Sequence, residues 1–234
     1  MDTLNKIFYI NLDRRPDRNI HMLNEFSRIQ VPSEKVQRFQ AIDGNNLFAF
    51  GVDAQDLTLF KNSDFRRHRN KNFLIGNQLS HMRILQNIVD NKYEKTLILQ
   101  DDIKFINNFD EELRNVIENM SDDTEIIWIG FHKAASGKRI IGWDLEKQSK
   151  ETNTFYHKEV NEYIAQCKTS TNPCSTAYIV TYNGAKKFLE HVKEVGYRRA
   201  TDGNFNDYLR DKNIDYCSRL VLCTGKSEFG SDIF

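Results

Sequence analysis

The sequence predicts a single α/β domain spanning residues 1–234. Apolar runs of strand length alternate with amphipathic stretches of helix length along the chain. The first apolar run contains Asn11, and the next two are followed by Asp43 and Gln100. Hydrophobic residues make up 39% of the chain and aromatic residues 12%, which is enough for one sizeable core.

The predicted elements follow one another in a regular order. Residues 6–12 form a short apolar run, which is typical of a buried strand. Pro16 is well placed in the first turn of the helix that follows. Further strands are predicted, in chain order, over 36–42, 96–99, 125–130, 176–181 and 214–221. Helices are predicted over 16–29, 53–60, 77–91, 111–120, 183–193 and 202–211.

Residues 131–158 break this alternation. Gly, Ser, Lys and Thr are frequent there, and hydrophobic periodicity is weak. Long loops inside a compact domain are unusual and often functional. We therefore predict a mobile loop over 131–158 that closes over a bound ligand and excludes water.

Net charge and composition exclude several classes of partner. The chain carries 33 basic and 33 acidic residues, so general attraction to nucleic acid or to an anionic membrane is not expected. No stretch of the sequence is long and apolar enough to cross a bilayer. The first apolar run is short and is broken by Asn11 and Asp13, so it does not predict a signal peptide.

The four cysteines match no zinc-binding spacing. We interpret them as reduced thiols of a cytoplasmic protein, located in the host cytoplasm or the virion if the source is viral. A bridge between Cys167 and Cys174 is the less favoured alternative.

The segment NLDRRPDR follows the first predicted strand and opens a helix. Ligands bind beyond the carboxyl ends of strands in open α/β sheets, and helix N-termini favour anions. Arg14 and Arg18 would share one face if the helix begins early enough, which suits a diphosphate or a nucleotide. The alternative is a surface helix start in which the arginines pair with Asp13 and Asp17.

The segment LILQDDIKF ends an apolar strand in two adjacent carboxylates, Asp101 and Asp102. Mg²⁺ and Mn²⁺ prefer oxygen ligands, and a nucleotide diphosphate usually supplies some of them. We therefore predict a metal site here, with a solvated acidic turn as the alternative.

Two further segments carry weaker signals. In GNQLSH, Asn77 is predicted to cap a helix, which would place Ser80 and His81 in its first turn. Ordinary capping, with His81 either packed or facing solvent, is the favoured alternative there. In ATDGNFNDYL, Asp202 is either a helix cap or a general base, and Asp207 is a weaker candidate for the base.

Five stretches in order, INLDRRPDR, FQAIDG, GNQLSHMRIL, LILQDDI and STAYIVTYNGAKKFL, resemble glycosyltransferase family 25. The resemblance runs from about Ile7 to the end of the chain. It implies a GT-A-like Rossmann-type mixed sheet flanked by helices. It also implies inverting transfer of a hexose from a UDP-sugar, dependent on Mn²⁺ or Mg²⁺, to a hydroxyl of a glycan, a lipid-linked sugar or a hydroxylysine-type protein acceptor.

The resemblance assigns roles to individual positions. Nucleotide-sugar binding falls to Asn11, Arg14, Arg18, Asp43, Gly76, Ser80, His81 and Asp101. Asp102 is the principal metal ligand, with Asp101 beside it. Ser175, Thr176 and Tyr178 approach the acceptor, and Asp202 is the catalytic base.

The sequence departs from the family pattern at three places. Gln100 replaces the Glu of a common Glu-Asp-Asp stretch, Asn77 replaces a Cys after Gly76, and Ala200-Thr201 replaces Pro-Val before Asp202. Because Gln100 removes one negative charge from the site, a catalytically silent sugar-nucleotide or glycan-binding module is the alternative function. A nucleotidyltransferase is less favoured, since NLDRRPDR lacks the glycines of a phosphate-binding loop.

Overall fold

The computed structural model describes residues 3–65, 68–131, 156–167, 175–225 and 229–230. Most of the predicted loop over 131–158 lies outside these residues, and so does Cys174. Cys167 is described and is a buried free thiol.

A ten-stranded mixed sheet forms the centre of the described part of the chain. Its strands are β1 (Lys6–Asn11), β2 (Val36–Gln40), β3 (Lys95–Gln100), β4 (Ile103–Phe105), β5 (Ile126–Gly130), β6 (Tyr156–Glu159), β7 (Ile164–Cys167), β8 (Ala177–Thr181), β9 (Tyr216–Ser218) and β10 (Cys223–Gly225). The strand order is β2-β1-β3-β8-β5-β9-β7-β6, and β10 pairs with both β4 and β5.

The helices are α1 (Pro16–Arg28), α2 (Ala54–Thr58), α3 (Lys71–Asn91), α4 (Phe109–Glu118), α5 (Tyr182–Val195) and α6 (Thr201–Asp211). Short 3-10 turns lie at Ser33–Lys35 and Leu47–Phe50. The predicted α/β class, with a mixed sheet and flanking helices, is confirmed. Among the described residues, no helix combines the length and the apolar character needed to cross a membrane.

Strand direction brings several chain segments to one edge of the sheet. β1 runs parallel to both β2 and β3, so these three strands end on the same side. β8 is antiparallel to β3, and Ala177 at its start pairs with Leu99 near the end of β3. We call this side, formed by the ends of β1, β2 and β3 and the start of β8, the carboxyl edge.

The core lies on both faces of the central strands because their side chains are apolar on both sides. The residues of β5 are fully buried, as are most of those in β3 and β8. Trp128 and Tyr178 are fully buried, and both rings contact Phe205 of α6. This packing holds α6 against the centre of the sheet.

α3 begins at Lys71, well before the predicted start at Asn77. The helix extends forward because Leu74 and Ile75 are buried and continue its apolar face. Asn77 is therefore not a helix cap, and that prediction is wrong. Gly76 lies inside the helix, where an added Cβ would come within 2.4 Å of the Ile42 carbonyl oxygen.

Four short strands were not predicted. β4, β6, β7 and β10 have three or four residues each, too few for a clear alternation of apolar and polar residues. β6 includes residues 156–158, so the predicted loop ends earlier than 158.

Candidate active site

Four buried polar residues meet at the carboxyl edge. They are Asn11, Arg18, Asp101 and Asp102, and we call them the acidic corner. Asp101 and Asp102 directly follow β3 and are only 6% and 8% exposed. Asn11 is the last residue of β1, so the parallel pairing of β1 and β3 brings it to the carboxylates.

Protein groups hold both carboxylate oxygens of Asp101. Asn11 Nδ2 donates to Asp101 Oδ2 at 2.7 Å. Arg18 Nη1 donates to Asp101 Oδ1, also at 2.7 Å. Asp101 is therefore fixed in one orientation by two side chains, which suits a positioning residue better than a metal ligand.

Asp102 is held less completely. Its Oδ2 lies 3.7 Å from Arg18 Nη1. Its Oδ1 is buried and has no hydrogen-bond partner among the described residues. Burial raises the pKa of Asp102 to about 6, although the Arg18 guanidinium acts in the opposite direction. A buried carboxylate oxygen without a partner is costly, and it is the type of oxygen that binds a hard divalent cation.

The sequence predicts that Arg18 binds a diphosphate, but its side chain does not extend towards solvent. It is buried and ion-paired with Asp101, and its Nη2 donates to the carbonyl oxygen of Gly230 at 2.5 Å. Its guanidinium also lies 5.8 Å from the centre of the Phe229 ring. Arg15 Nη2 donates to the Phe229 carbonyl oxygen at 3.2 Å. We therefore correct its role: Arg18 holds the acidic corner and attaches residues 229–230 to it.

Arg14 points elsewhere, so the predicted face shared with Arg18 does not form. α1 begins at Pro16, and Arg14 precedes it. Arg14 Nε lies 2.8 Å from Asp43 Oδ2, and its side chain is 38% exposed. Arg14 and Asp43 thus form a partly open ion pair near the ends of β1 and β2, where a charged ligand has access.

Ser80 and His81 are fully buried, so the prediction that they line a donor pocket is wrong. The Ser80 hydroxyl accepts from Ile42 N–H at 2.9 Å and donates to the Gly76 carbonyl oxygen at 2.7 Å. It therefore joins α3 to the segment that carries Asp43. Gly76 is buried too and serves this close approach of helix and loop.

His81 forms a closed pair with Tyr178 in the core. His81 Nδ1 and the Tyr178 hydroxyl oxygen are 2.7 Å apart. Burial lowers the pKa of His81 to about 3, so the ring is neutral at physiological pH. Burial also raises the pKa of Tyr178. Tyr178 is fully buried, so its predicted contact with an acceptor is wrong as well.

Ser175 and Thr176 do reach the carboxyl edge. The Gln100 N–H donates to the Thr176 carbonyl oxygen at 2.9 Å, which places Thr176 beside the start of the acidic pair. The Thr176 hydroxyl is buried without a hydrogen-bond partner among the described residues. Both residues are buried, so contact with an acceptor would require the neighbouring chain to move.

Asp202 is the second residue of α6, and Ala200 occupies the N-cap position. The helix start is attached to α3 because Thr201 Oγ1 donates to Asn77 Oδ1 at 2.8 Å. Gly76 and Ser80, on the same part of α3, contact Ile42. Asp207 lies further along α6 and pairs with Arg199 at 3.1 Å on the exposed side.

The model of glycosyltransferase family 25 (LPS biosynthesis protein) matches residues 4–203.

The chain belongs to glycosyltransferase family 25.

Relatives in this family are much longer than the chain. A glycosyltransferase 25 family member of Drosophila pseudoobscura pseudoobscura is 37% identical over 189 residues, which cover 80% of this chain and 27% of the relative. Human procollagen galactosyltransferase 2 is 30% identical over 132 residues, which cover 53% of this chain and 20% of that relative. The procollagen lysyl hydroxylase and glycosyltransferase of Acanthamoeba polyphaga mimivirus is 25% identical over 198 residues, covering 80% and 19%.

Solved structures give a weaker likeness. Mouse xyloside xylosyltransferase 1 aligns with a TM-score of 0.45 at 9% identity, covering 89% of this chain and 82% of that one. The galactosyltransferase LgtC aligns with a TM-score of 0.42 at 9% identity, covering 95% and 87%. Scores this low carry no argument about the site.

The site of this family 25 chain contains residues that sequence reasoning missed. Arg38 Nε donates to Asn11 Oδ1 at 2.8 Å, and Arg38 Nη2 pairs with Asp13 at 2.6 Å. Arg38 therefore fixes the amide of Asn11 that holds Asp101. An arginine in the middle of a predicted strand was the available signal. The contact between Gly230 and Arg18 was not predicted, because it joins residues 212 positions apart in the sequence.

Proposed function

We propose that this chain is an inverting, metal-dependent glycosyltransferase that moves a hexose from a UDP-sugar to a hydroxyl acceptor. The proposal rests mainly on the environment of Asp102. This residue offers one buried, unpartnered carboxylate oxygen at the carboxyl edge of a family 25 chain. Its neighbour Asp101 is held by two protein side chains and keeps the corner in place.

The acidic corner fits a divalent cation. Asp102 Oδ1 would be the protein ligand, and the phosphate oxygens of the donor would supply further ligands. A bound Mn²⁺ or Mg²⁺ would neutralise charge on the departing diphosphate. The cation would also offset the cost of ionising Asp102, whose pKa burial raises to about 6.

Arg14 and Asp43 are the residues proposed to bind the charged part of the nucleotide. The Arg14 side chain is partly exposed, so its guanidinium could turn from Asp43 to a phosphate oxygen. Arg18 does not take part in this exchange, because its guanidinium holds Asp101 and the Gly230 carbonyl oxygen.

Asp202 is proposed as the general base that takes the proton of the acceptor hydroxyl. It lies in the first turn of α6 and is only partly buried. The hydroxyl oxygen would attack the anomeric carbon on the face opposite the leaving diphosphate, which inverts the configuration. Ser175 and Thr176 remain proposed neighbours of the acceptor, since they adjoin Gln100 at the carboxyl edge.

The names of the relatives suggest which substrates to test first. Because one relative is named procollagen galactosyltransferase 2, UDP-galactose is the first donor to test and a hydroxylysine peptide is the first protein acceptor to test. A glycan and a lipid-linked sugar are the other acceptors to include. A cytoplasmic location belongs to the same proposal, and it is supported by three buried free thiols among the described residues.

The test is a panel of UDP-sugars with Mn²⁺, read out as UDP release with and without acceptors. We expect one UDP-hexose to give transfer or slow hydrolysis, and EDTA to abolish it. If no donor gives either transfer or hydrolysis, the enzyme proposal is contradicted. Donor binding without turnover, in both the parent and Gln100→Glu, would instead support the silent binding module suggested by Gln100.

A further inference from the structure

A second concave site lies beside the segment that carries Asp43 but contains none of the acidic corner. It is a cavity of about 460 Å³ between the chain from Gly44 to Phe65 and the start of α3. We call it the Phe60 cavity. This volume lies within the range of sites that hold small molecules.

The interior of the Phe60 cavity is apolar. Its buried walls are built from Leu47, Phe60, Phe65 and Ile75. Phe48 lies at the opening and is 72% exposed, which is unusual for a phenylalanine. These walls would remove a ring or a compact alkyl group from water, and Phe48 would lose exposed apolar surface when the cavity is filled.

The rim of the Phe60 cavity is positively charged. Lys61 and Lys71 line it together with three asparagines, and no carboxylate is among the described lining residues. Three acidic residues adjoin the lining in sequence: Asp43 pairs with Arg14, Asp56 accepts from the Asp53 N–H at the start of α2, and Asp64 is exposed. In a chain with zero formal net charge, this local excess favours an anion.

We infer that the Phe60 cavity binds a small amphipathic anion, with its apolar body in the cavity and its charged group between Lys61 and Lys71. Two backbone features adjoin the lysines of this site. α3 starts at Lys71, and the partial positive charge of a helix N-terminus adds to that of the lysines. An added Cβ at Gly44 would lie 2.5 Å from Phe73 N, so the turn after Asp43 presses directly on this helix start.

The site is separate from the proposed donor site. Its lining includes none of Asn11, Arg14, Arg18, Asp101 or Asp102. The inference does not depend on glycosyl transfer, because it concerns binding only. It can therefore fail or succeed independently of the proposed function.

Calorimetric titration with three matched probes tests the inference on the full chain. The probes are naphthalene-2-sulfonate, the neutral naphthalene-2-sulfonamide and inorganic sulfate. We expect the sulfonate to bind, the sulfonamide to bind about fivefold more weakly because exposed ion pairs are individually weak, and sulfate to give no measurable heat. Equal affinity for sulfonate and sulfonamide, or equal affinity for sulfonate and sulfate, would overturn the inference.

Variants locate the binding. Leu57→Trp and Ile75→Phe place extra volume in the cavity and are expected to weaken sulfonate binding about tenfold or more. Lys71→Gln, on the exposed rim, is expected to weaken it about threefold without affecting folding. Leu23→Trp, on the exposed face of α1, is the matched control and should bind like the parent.

A competition experiment separates the two sites. UDP with Mn²⁺ should leave the affinity for naphthalene-2-sulfonate unchanged. Sulfonate affinity that is unchanged in both cavity-filling variants would overturn the inference. Direct displacement of the sulfonate by UDP would do so as well, because the cavity would then belong to the donor site.

Discussion

The acidic corner and the His81–Tyr178 pair are two buried polar groups next to the same sheet. Burial shifts the pKa values of Asp102 and His81 in opposite directions. Asp102 Oδ1 and His81 Nε2 are both buried and without a hydrogen-bond partner among the described residues. Burial raises the pKa of Asp102 to about 6 and lowers the pKa of His81 to about 3. At neutral pH, His81 is therefore neutral, whereas Asp102 still carries charge beside Arg18.

Their positions explain this difference. Asp102 follows the end of β3, where the chain leaves the sheet, while His81 lies in the middle of α3 and faces β8. A charged group at a strand end can be stabilised by a ligand. The neutral pair is hydrogen-bonded internally, and its Tyr178 ring packs against Trp128 and Phe205, so it contributes to stability. A buried polar residue therefore indicates a binding site where its charge is retained at the end of a strand.

The largest expected difference between the two regions is in activity. Asp102→Asn removes the carboxylate oxygen proposed to bind the cation, and we expect transfer to fall by about 1,000-fold, or about 4 kcal/mol. His81→Phe should leave transfer per folded molecule near that of the parent. Steady-state assays with Mn²⁺ and the best UDP-sugar measure both. A similar loss of transfer activity in both variants would contradict the proposed difference between the acidic corner and the His81–Tyr178 pair.

The next largest effect is expected at Arg18. Arg18→Gln leaves Asp101 and Asp102 without their buried cation, so the free energy of unfolding should fall by about 3 kcal/mol. Affinity for the metal should fall by about 10- to 100-fold, because Asp101 loses one of its two holders. Arg14→Gln is the matched control, and its partly exposed ion pair should change stability by less than about 1 kcal/mol. Urea unfolding and Mn²⁺ titration give the two readouts.

A third prediction concerns the stability of the metal-free protein as a function of pH. Because folding raises the pKa of Asp102 from 3.8 to about 6, the folded state binds the proton more tightly than the unfolded chain. This contribution is fully present below pH 3.8 and is lost as the pH rises through about 6. At pH 7.5, Asp102→Asn should therefore be more stable than the parent, by up to about 3 kcal/mol. Its advantage should disappear near pH 3.5, which thermal unfolding at the two pH values would detect.

The smallest expected effect is at the His81–Tyr178 pair. His81→Phe leaves the buried Tyr178 hydroxyl without a partner, so stability at pH 7.5 should fall by about 1–2 kcal/mol. Because folding lowers the pKa of His81 from 6.5 to about 3, the parent loses stability as the pH falls through this range. The variant lacks this dependence, so the gap should close at about pH 5–6 and reverse in sign at lower pH. A gap that widens in acid would show that the ring is charged in the folded state.

The sequence was a good guide to the central strands and a poor guide to their contacts. β1, β3, β5 and β8 are continuous apolar runs, so their positions followed from composition alone. The start of α3 was missed because polar residues, including Asn70, Lys71 and Asn72, precede its apolar face. The contact between Asn11 and Asp101 joins residues 90 positions apart, and only the strand order reveals it.

The same limit applies to the roles within the site. The pattern QDD indicated a metal site, but the sequence does not distinguish a carboxylate held by Asn11 and Arg18 from one with a free oxygen. The residues of GNQLSH favour a capped helix start with a packed or solvent-facing histidine, and only the family resemblance implies a donor pocket; tertiary packing places Ser80 and His81 inside the protein. Burial depends on which elements pack together, and the local sequence of α3 does not determine that.

The most direct test of the acidic corner is calorimetric titration of UDP into the protein with and without Mn²⁺. The parent and His81→Phe should both bind UDP more tightly when Mn²⁺ is present, by about tenfold or more. Asp102→Asn should bind UDP with the same weak affinity under both conditions. If Asp102→Asn keeps the full Mn²⁺ enhancement, the oxygen left unpartnered at the end of β3 is not the cation ligand, and the account of this site is wrong.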